Sequence, residues 1–411
     1  MAPKALFVRG CARSGTTLLA DVLDEHPKIG LLVEQPLGDV VRRIDPVFWY
    51  EEHWLAEREA IARAGAKSAA RTAKTEHFKP RDNAGRLTFP RRYPSRERLA
   101  HILAGIVEAS LEKRDLLYIG SKTPGHWRYD DVRRVAGLYG EPKYVFLLRN
   151  PFDNVNSIVN RRNAARAGRD AWPDKPIEEA IARYQEAICL VLSCRDRFAE
   201  QTFVVGYEDL VAHPSRTLSA LGEFLELELD DWSHLITSES PQRKVFTERE
   251  ERAVREQLGA AIDSWSSKHL TIPIARLGTQ VDDCVRTVTR RTEYRFDAPV
   301  GDRGLLGTGW GDAEPAGIVS DAPSADLYFR VPDDGEYTVV IELAAQIDHR
   351  SGPLDLTAQL GERRLEQTLH HRRNVRLHVG PVPLQAGIAY RIALAFGDSS
   401  KRVRIRRFSL R

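Results

Sequence analysis

The sequence predicts an α/β protein with a doubly wound parallel sheet and a P-loop-like anion-binding loop, followed by an antiparallel β-sandwich. In the first half, short β-branched runs alternate with longer amphipathic patterns, as in a parallel sheet covered by helices. The first strand-to-helix connection contains the glycine-bearing segment RGCARSGTT, residues 9–17. After about residue 296, short alternating runs separated by turn residues are typical of an antiparallel sandwich.

The strands predicted for the parallel sheet are short and apolar, and the helices between them are amphipathic. The strands are expected at residues 5–8, 31–33, 116–119, 144–148 and 202–205. The helices are expected at residues 16–25, 96–113, 130–139, 151–162, 177–198 and 214–225. Residues 45–94 break the alternation and predict an inserted segment over the sheet edge, where substrate-facing parts commonly lie. Residues 237–295 indicate helix without defined bounds.

The composition shift near residue 296 predicts two domains, residues 1–295 and residues 296–411. Strands of the second domain are expected at residues 325–331, 336–343, 354–360, 375–379, 389–396 and 403–410. Within its first turn-rich stretch, Trp310 is either a sugar platform or a core aromatic.

The composition indicates a globular protein, with 42% apolar and 29% charged residues among 411. The formal charge of +3 argues against a nucleic-acid binder. The four cysteines have neither metal nor redox spacing, so we expect no metal site and a reducing compartment. The first residues lead directly into a strand, with no apolar stretch long enough for a signal peptide or a membrane span. We therefore predict a cytoplasmic protein without an integral membrane segment.

The connection after the first strand resembles a phosphate loop that lacks its lysine. Gly10 and Gly15 match the two glycines of G-x-x-x-x-G-K-[ST], and Thr17 matches the hydroxyl residue. Thr16 replaces the lysine, and Arg13 supplies a cation on the other side of Gly15. The loop therefore indicates an anion site at a helix N-terminus that is not suited to γ-phosphate chemistry.

A second anion site is indicated by the segment KYVFLLRNPFDNVNSIVNRR, residues 143–162. Arg149 ends a strand, and Pro151 is suited to the first turn of the following helix. Ser157 and Arg161 are four residues apart and share one face of that helix. Two guanidinium groups and one hydroxyl are thus expected to converge on a phosphate.

These two motifs, in this order, resemble those of the sulfotransferase superfamily, nearest to its tyrosylprotein and glycan types. A third match is the Y-E-D-L segment at residues 207–210. The resemblance implies that the donor is 3′-phosphoadenosine 5′-phosphosulfate (PAPS) and the product 3′-phosphoadenosine 5′-phosphate (PAP). The residues implied to hold the 5′-phosphosulfate are Arg13, Ser14, Gly15, Thr16 and Thr17. Those implied at the 3′-phosphate are Arg149, Ser157 and Arg161, whereas Tyr207 is either structural or a nucleotide contact.

The resemblance also implies a set of catalytic residues. Glu34 follows a predicted strand, at the edge where α/β sheets bind ligands, and is the expected base. His126 is the reserve base, because cytosolic members of the superfamily use a histidine. Lys122, in GSKTPGHW, is expected to neutralise the leaving group together with Arg13, unless it is only a solvated residue at a strand end. No metal is required by this arrangement.

The acceptor is indicated only indirectly. The segment GWGDAEPAG resembles the opening of a small β-sandwich found on bacterial glycan-modifying enzymes, which implies a glycan or glycolipid acceptor. The basic runs HHRRNVR and KRVRIRR are consistent with an acidic glycan or with a solvated strand face. Two alternatives stay open: a P-loop kinase or hydrolase, and a non-catalytic carbohydrate-binding scaffold. The sequence does not indicate the oligomeric state.

Overall fold

The computed structural model describes the chain in separate ranges. These are residues 3–33, 96–122, 142–166, 176–236, 246–266, 271–273, 284–296, 303–307, 309–314, 316–320, 323–346, 353–370, 373–397 and 402–411. The predicted insert at residues 45–94 and the predicted helix at residues 130–139 lie outside the described residues.

The first part of the chain forms a six-stranded sheet. Its strands are β1 (Lys4–Gly10), β2 (Ile29–Val33), β3 (Tyr118–Lys122), β4 (Lys143–Leu148), β5 (Thr202–Gly206) and β6 (Thr271–Pro273). They lie in the order β2-β3-β1-β4-β5-β6. All pairs among β1–β5 are parallel, and β6 pairs with β5 in the antiparallel sense. The five predicted strands are confirmed, and the short edge strand β6 was not predicted.

Helices cover both faces of this sheet. They are α1 (Thr16–Glu25), α2 (Arg96–Leu111), α3 (Pro151–Arg166), α4 (Ile177–Arg197), α5 (Tyr207–Ala212), α6 (Pro214–Leu225) and α7 (Glu248–Ser266). Helices α1 and α6 have the predicted bounds. Helix α7 lies in the stretch that the sequence left without bounds, and it begins with reciprocal hydrogen bonds between Thr247 and Glu250. These bonds form a capping box, which fixes the first turn of α7.

The parallel strands are buried on both faces, and this accounts for their continuous apolar sequences. On β1, Leu6 and Val8 pack into the core layer that also contains the apolar face of α1 and α6. Ala5 and Phe7 point to the opposite layer, which contains apolar residues of α3, α4 and α7. Because β1 is central, the loop at its carboxyl end lies in the middle of the sheet edge.

The strand order places a switch point beside β1. The chain leaves β1 towards β2 on one side of the sheet, whereas it leaves β4, the other neighbour of β1, towards β5. In open α/β sheets the crevice at such a point, outside the carboxyl ends of the strands, is the usual ligand site. Both predicted anion-binding segments begin at this point.

The second part of the chain forms two antiparallel sheets. Their strands are β7 (Glu293–Arg295), β8 (Trp310–Glu314), β9 (Gly317–Ser320), β10 (Ser324–Phe329), β11 (Gly335–Gln346), β12 (Leu354–Leu360), β13 (Arg363–Leu369), β14 (Arg373–Leu384), β15 (Tyr390–Phe396) and β16 (Arg402–Leu410). One sheet has the order β10-β15-β12-β13. The other has the order β14-β11-β16-β9-β8, with β7 paired to β16. The predicted antiparallel fold is confirmed, and β7, β8, β9 and β13 were not predicted.

A single apolar core lies between these two sheets. It contains inward-facing residues of both, such as Leu327 and Ile392 from one sheet and Ile341 and Phe408 from the other. Trp310 belongs to this core: it is buried, and its Nε1 donates to the carbonyl oxygen of Asp326 at 2.8 Å. Of the two roles considered for Trp310, the structure therefore assigns the core aromatic.

Asp326 on β10 connects the two parts of the chain. Its side chain is fully buried and accepts hydrogen bonds from Ser193 Oγ at 2.6 Å and Arg197 Nε at 2.8 Å, both on α4. Arg391 on β15 forms a further ion pair with it at 3.0 Å. A buried carboxylate with two arginine partners requires α4 and the sandwich to keep one arrangement. The boundary between residues 295 and 296 stays a prediction.

Candidate functional site

The connection between β1 and α1 is a tight loop that requires its glycines. A Cβ on Gly10 would lie 2.3 Å from the carbonyl oxygen of Leu147 on β4, so a side chain cannot be accommodated there. Gly15 has a φ of 92° and Arg13 a φ of 72°. A left-handed conformation at a non-glycine residue is strained and must be held by its surroundings. Strained residues of this kind cluster at ligand sites, so the loop is a candidate for ligand binding.

Helix α1 presents its N-terminus to the loop. Gly15 occupies the N-cap position, forms no side-chain capping hydrogen bond, and is followed by a first turn without acidic residues. The first N–H groups of a helix have no intrahelical acceptor, and the helix dipole favours an anion beside them. An uncapped N-terminus at the end of a central parallel strand is an anion-binding arrangement.

The five residues of the R-S-G-T-T motif differ in exposure. Arg13 and Thr17 are exposed, whereas Ser14 and Thr16 are buried. The methyl group of Thr16 approaches the α-carbon region of Gly10. Arg13 and Thr17 thus have side chains that reach solvent at the loop, and Ser14 and Thr16 pack beneath it. The predicted role of all five at a phosphosulfate stays a prediction.

Asn154 on α3 holds the loop from below and was not predicted. Its side chain is fully buried, and its Nδ2 donates to the carbonyl oxygen of Ala12 at 3.1 Å and to Ser14 Oγ at 2.9 Å. One amide thereby ties α3 to the β1–α1 loop. A signal was present in the sequence, because Asn154 lies three residues before Ser157 and so shares its helix face.

The structure brings the two sequence motifs together. Arg13 Nε donates to Ser157 Oγ on α3 at 3.3 Å. Arg149 Nη1, from the end of β4, donates to the carbonyl oxygen of Arg13 at 3.3 Å. Arg161 lies one helical turn after Ser157 in α3, and its side chain lies outside the described residues. Two guanidinium groups and a hydroxyl therefore meet at the carboxyl ends of β1 and β4.

Tyr207, the first residue of α5, lies against this cluster. A Cβ on Gly15 would approach within 2.5 Å of the Tyr207 ring, so the ring closely covers the loop. The guanidinium carbon of Arg149 lies 4.6 Å from the centre of the same ring. Tyr207 thus orients the cation of Arg149, which accounts for a structural role; a nucleotide contact stays a prediction.

The backbone at the end of β4 is held by three further side chains. Tyr184 on α4 donates its hydroxyl to the carbonyl oxygen of Arg149 at 2.8 Å. The side chain of Asn150 accepts from the N–H groups of Phe152 and Asp153 and so caps α3. The third side chain is that of Glu208, which accepts a hydrogen bond from the backbone N–H of Asn150.

Glu208 connects this segment to α7. Its carboxylate accepts from the backbone N–H of Asn150 at 2.9 Å and from Trp265 Nε1 at 3.1 Å. Burial raises the pKa of Glu208, and the hydrogen bond from Asn150 partly offsets this. This carboxylate is therefore a structural acceptor beneath the site.

Lys122 ends β3 and is 1% exposed, so it is not a solvated residue at a strand end. It is in register with Val8 of β1 and Val33 of β2. Burial raises the pKa of Asp21 on α1, and the nearby charge of Lys122 lowers it in part. Lys122 thus brings a buried cation to the same sheet edge. Glu34, which follows β2, and His126 lie outside the described residues.

Cys11 lies in the loop but is not a reactive group. The thiol is buried, and burial raises its pKa to about 12. A protonated thiol is a poor nucleophile near neutral pH.

Among the ranges that the structure covers, no three His, Cys, Asp or Glu side chains are grouped so as to hold a metal ion. No helix in the same ranges combines the length and the apolar character that crossing a membrane requires.

The family model and the two relatives compared below that match this chain are all sulfotransferases. A family model described as the sulfotransferase family matches residues 3–231. The protein-tyrosine sulfotransferase of Drosophila melanogaster is 24% identical over 236 residues, which cover 55% of this chain and 38% of the relative. Protein-tyrosine sulfotransferase 2 of Gallus gallus is 23% identical over 230 residues, covering 55% of this chain and 52% of the relative. The chain thus spans about half or less of these two proteins.

Among solved structures, the sulfotransferase from Alicyclobacillus acidocaldarius is similar to this chain with a TM-score of 0.37 and 16% identity. The matched region covers 62% of this chain and 91% of that structure.

Proposed function

The chain belongs to the sulfotransferase family, and we propose that it transfers a sulfuryl group from PAPS to a hydroxyl or amine of an acceptor. The observation that carries the proposal is the meeting of Arg13, Arg149 and Ser157 beside the uncapped N-terminus of α1. An anion with charges at both ends suits this pair of sites, because one lies at a helix N-terminus and the other between guanidinium groups.

The 5′ end of the donor is proposed to lie at the β1–α1 loop. The first N–H groups of α1 would bind it, and the exposed side chains of Arg13 and Thr17 would complete the site. Ser14 and Thr16 would contribute through the loop backbone, since both are buried. Asn154 would keep the loop in its strained conformation when no anion is bound.

The 3′-phosphate is proposed to bind between Arg149, Ser157 and Arg161. Arg149 Nε is buried and has no hydrogen-bond acceptor among the described residues. A buried donor without an acceptor destabilises a protein by about 1–3 kcal/mol. A phosphate oxygen is the acceptor that a guanidinium binds best, so the residues present fit this group.

Transfer is proposed to depend on positioning and charge, as in phosphoryl transfer. The guanidinium of Arg13 and the buried charge of Lys122 would stabilise negative charge that develops on the leaving phosphate oxygen. Lys122 would act from beneath the site, because charge acts over several ångströms in a medium of low dielectric constant. Glu34 is proposed as the base that takes the proton of the acceptor, and His126 is the alternative base. No metal is proposed.

The acceptor group is proposed to be a hydroxyl or amine of a glycan or glycolipid, because the segment GWGDAEPAG resembles the opening of a sandwich found on glycan-modifying enzymes. A tyrosine hydroxyl is a second candidate, because the two relatives described above are protein-tyrosine sulfotransferases. We also propose that residues 1–295 form the catalytic domain, that residues 296–411 form the sandwich domain, and that the protein is cytoplasmic.

The donor proposal is tested by titration calorimetry with PAP, and with ATP plus Mg²⁺ as the comparison. We expect PAP to bind more tightly, since the loop has no lysine for a γ-phosphate. Tighter binding of ATP would instead favour the kinase or hydrolase alternative. Release of PAP from PAPS is then measured with a glycan and with a tyrosine peptide as acceptors, and no release with any acceptor would favour the scaffold alternative.

A further inference from the structure

Asn154 on α3 binds the β1–α1 loop on both sides of its strained residue. The side chain is fully buried, and its Nδ2 donates to the carbonyl oxygen of Ala12 at 3.1 Å and to Ser14 Oγ at 2.9 Å. Between these two acceptors lies Arg13, whose φ of 72° is in the left-handed region. One amide group thus spans a residue whose backbone conformation has to be held by its surroundings.

The same helix also contacts the side chain of Arg13. Ser157 Oγ, about one helical turn after Asn154, accepts from Arg13 Nε at 3.3 Å. Asn154 and Ser157 are three residues apart and so share one face of α3. From the end of β4, Arg149 Nη1 donates to the carbonyl oxygen of Arg13 at 3.3 Å. One face of α3 therefore determines where the loop lies relative to Arg149 and Ser157.

The hydrogen bonding of Asn154 indicates that its amide does more than fill space. The Oδ1 atom is buried and has no hydrogen-bond donor among the described residues. A buried acceptor without a donor destabilises a protein by about 1–3 kcal/mol, and an apolar side chain of the same shape would avoid that loss. The amide therefore carries an unfavourable oxygen together with two donated hydrogen bonds, and both of these bonds end on the loop.

We propose that Asn154 is a positioning residue, which fixes the β1–α1 loop relative to Arg149 and Ser157 so that one donor with an anion at each end binds both sites. Asn154 is fully buried, so it acts through the loop and does not touch the donor. The inference rests on the proposed function, in which the two sites bind the two ends of PAPS. A rigid link between two subsites makes the second contact effectively intramolecular and raises the affinity without a new contact.

The test compares a two-ended ligand with two one-ended ligands by titration calorimetry of the full chain. The ligands are PAP, adenosine 5′-monophosphate and adenosine 3′-monophosphate. Asn154→Leu keeps the branched shape of the side chain but cannot donate to the loop. We expect this variant to bind PAP at least about tenfold more weakly and each monophosphate less than about threefold more weakly. The reason is that a one-ended ligand can follow a displaced loop, whereas a two-ended ligand cannot.

Two further variants separate positioning from packing. Ser14→Ala removes one of the two acceptors of Asn154, so it should weaken PAP binding by a smaller factor, about threefold. Adding it to Asn154→Leu should cause little further loss, since both changes remove the same hydrogen bond. Asn156→Leu is the matched control, because Asn156 is also buried, at 4% exposed, and lies two residues along α3 on a different face. Its affinity for PAP relative to each monophosphate should equal that of the unmodified protein.

Hydrogen exchange gives a readout that requires no ligand. In the ligand-free protein, Asn154→Leu should speed the exchange of the backbone amides of residues 12–15, and Asn156→Leu should not. Unchanged exchange in Asn154→Leu, or an equal loss of affinity for PAP and for both monophosphates, would overturn the positioning role alone. If PAP binds the unmodified protein no more tightly than either monophosphate, the proposed function is overturned and the positioning role with it, because the two sites then do not bind one donor.

Discussion

Replacement of Arg149 should weaken donor binding much more than it weakens folding. In the folded protein its guanidinium makes one long hydrogen bond, 3.3 Å to the carbonyl oxygen of Arg13, and lies 4.6 Å from the centre of the Tyr207 ring. Together these contacts stabilise the fold by about 1–1.5 kcal/mol. Two charge-assisted hydrogen bonds to a phosphate would contribute about 3 kcal/mol or more, which is roughly a hundredfold in affinity.

The assay pairs titration calorimetry with PAP and urea unfolding of the same variants. Arg149→Ala should lose about a hundredfold in affinity and about 1 kcal/mol in stability, and Arg149→Lys should lose about tenfold in affinity because its ammonium lacks the planar fork. Tyr184→Phe is the control: it removes a 2.8 Å hydrogen bond to the backbone of Arg149 but leaves the charge. It should cost about 1 kcal/mol of stability and change the affinity less than threefold. Unaltered PAP affinity in Arg149→Lys and Arg149→Ala would refute the assignment of Arg149 to the 3′-phosphate.

Three further changes test the β1–α1 loop, the contact between α4 and the sandwich, and the buried carboxylate of Glu208. Gly15→Ala places a side chain on a residue with a φ of 92° and brings its Cβ within 2.5 Å of the Tyr207 ring. The melting temperature should therefore fall by an amount equivalent to about 1–3 kcal/mol, and PAP binding should be lost. Normal PAP binding by this variant would contradict the role of the loop. Asp326→Ala removes the buried carboxylate that binds Arg197 and Arg391 and should lower the free energy of unfolding, measured in urea, by about 3 kcal/mol. A loss below about 1 kcal/mol would contradict a stabilising role of Asp326 between α4 and the sandwich. Because burial raises the pKa of Glu208 in the folded protein, its contribution to stability is present at low pH and is lost as pH rises through the folded pKa. The stability of the unmodified protein relative to Glu208→Gln should therefore decline as the pH rises above about 4, the ordinary range of a glutamate, and a difference that does not change with pH would contradict this.

The secondary structure of the first part was predictable where local signals were strong. Helix α6 begins at Pro214, a residue suited to the first turn, and its strongly amphipathic pattern ends at Leu225, as predicted. Helix α7 was left without bounds, although Thr247 and Glu250 form a capping box that its sequence carries. Strand β13, RRLEQTL, was missed because nearly all of its side chains are exposed, so it lacks an apolar alternation.

The candidate site was predictable as a set of residue types but not as a set of contacts. The spacing of Ser157 and Arg161 follows from helix geometry, so one shared face could be inferred. The contact of Arg13 with Ser157 joins residues 144 positions apart, and the support of the loop by Asn154 is of the same kind. Neither can be derived from local pattern, because both depend on how α3 packs beside β1.

The sequence alone determined the alternation of the five parallel strands with helices, the phosphate loop without its lysine and the second anion-binding segment, since these depend on the spacing of neighbouring residues. Only the tertiary structure decided that Lys122 is buried in a strand between β1 and β2, and that Trp310 belongs to the core. It also decided the register that aligns Arg376, Glu342 and Arg407 across three strands. Register and burial arise from packing between segments far apart in the chain, and no short stretch of sequence contains that information.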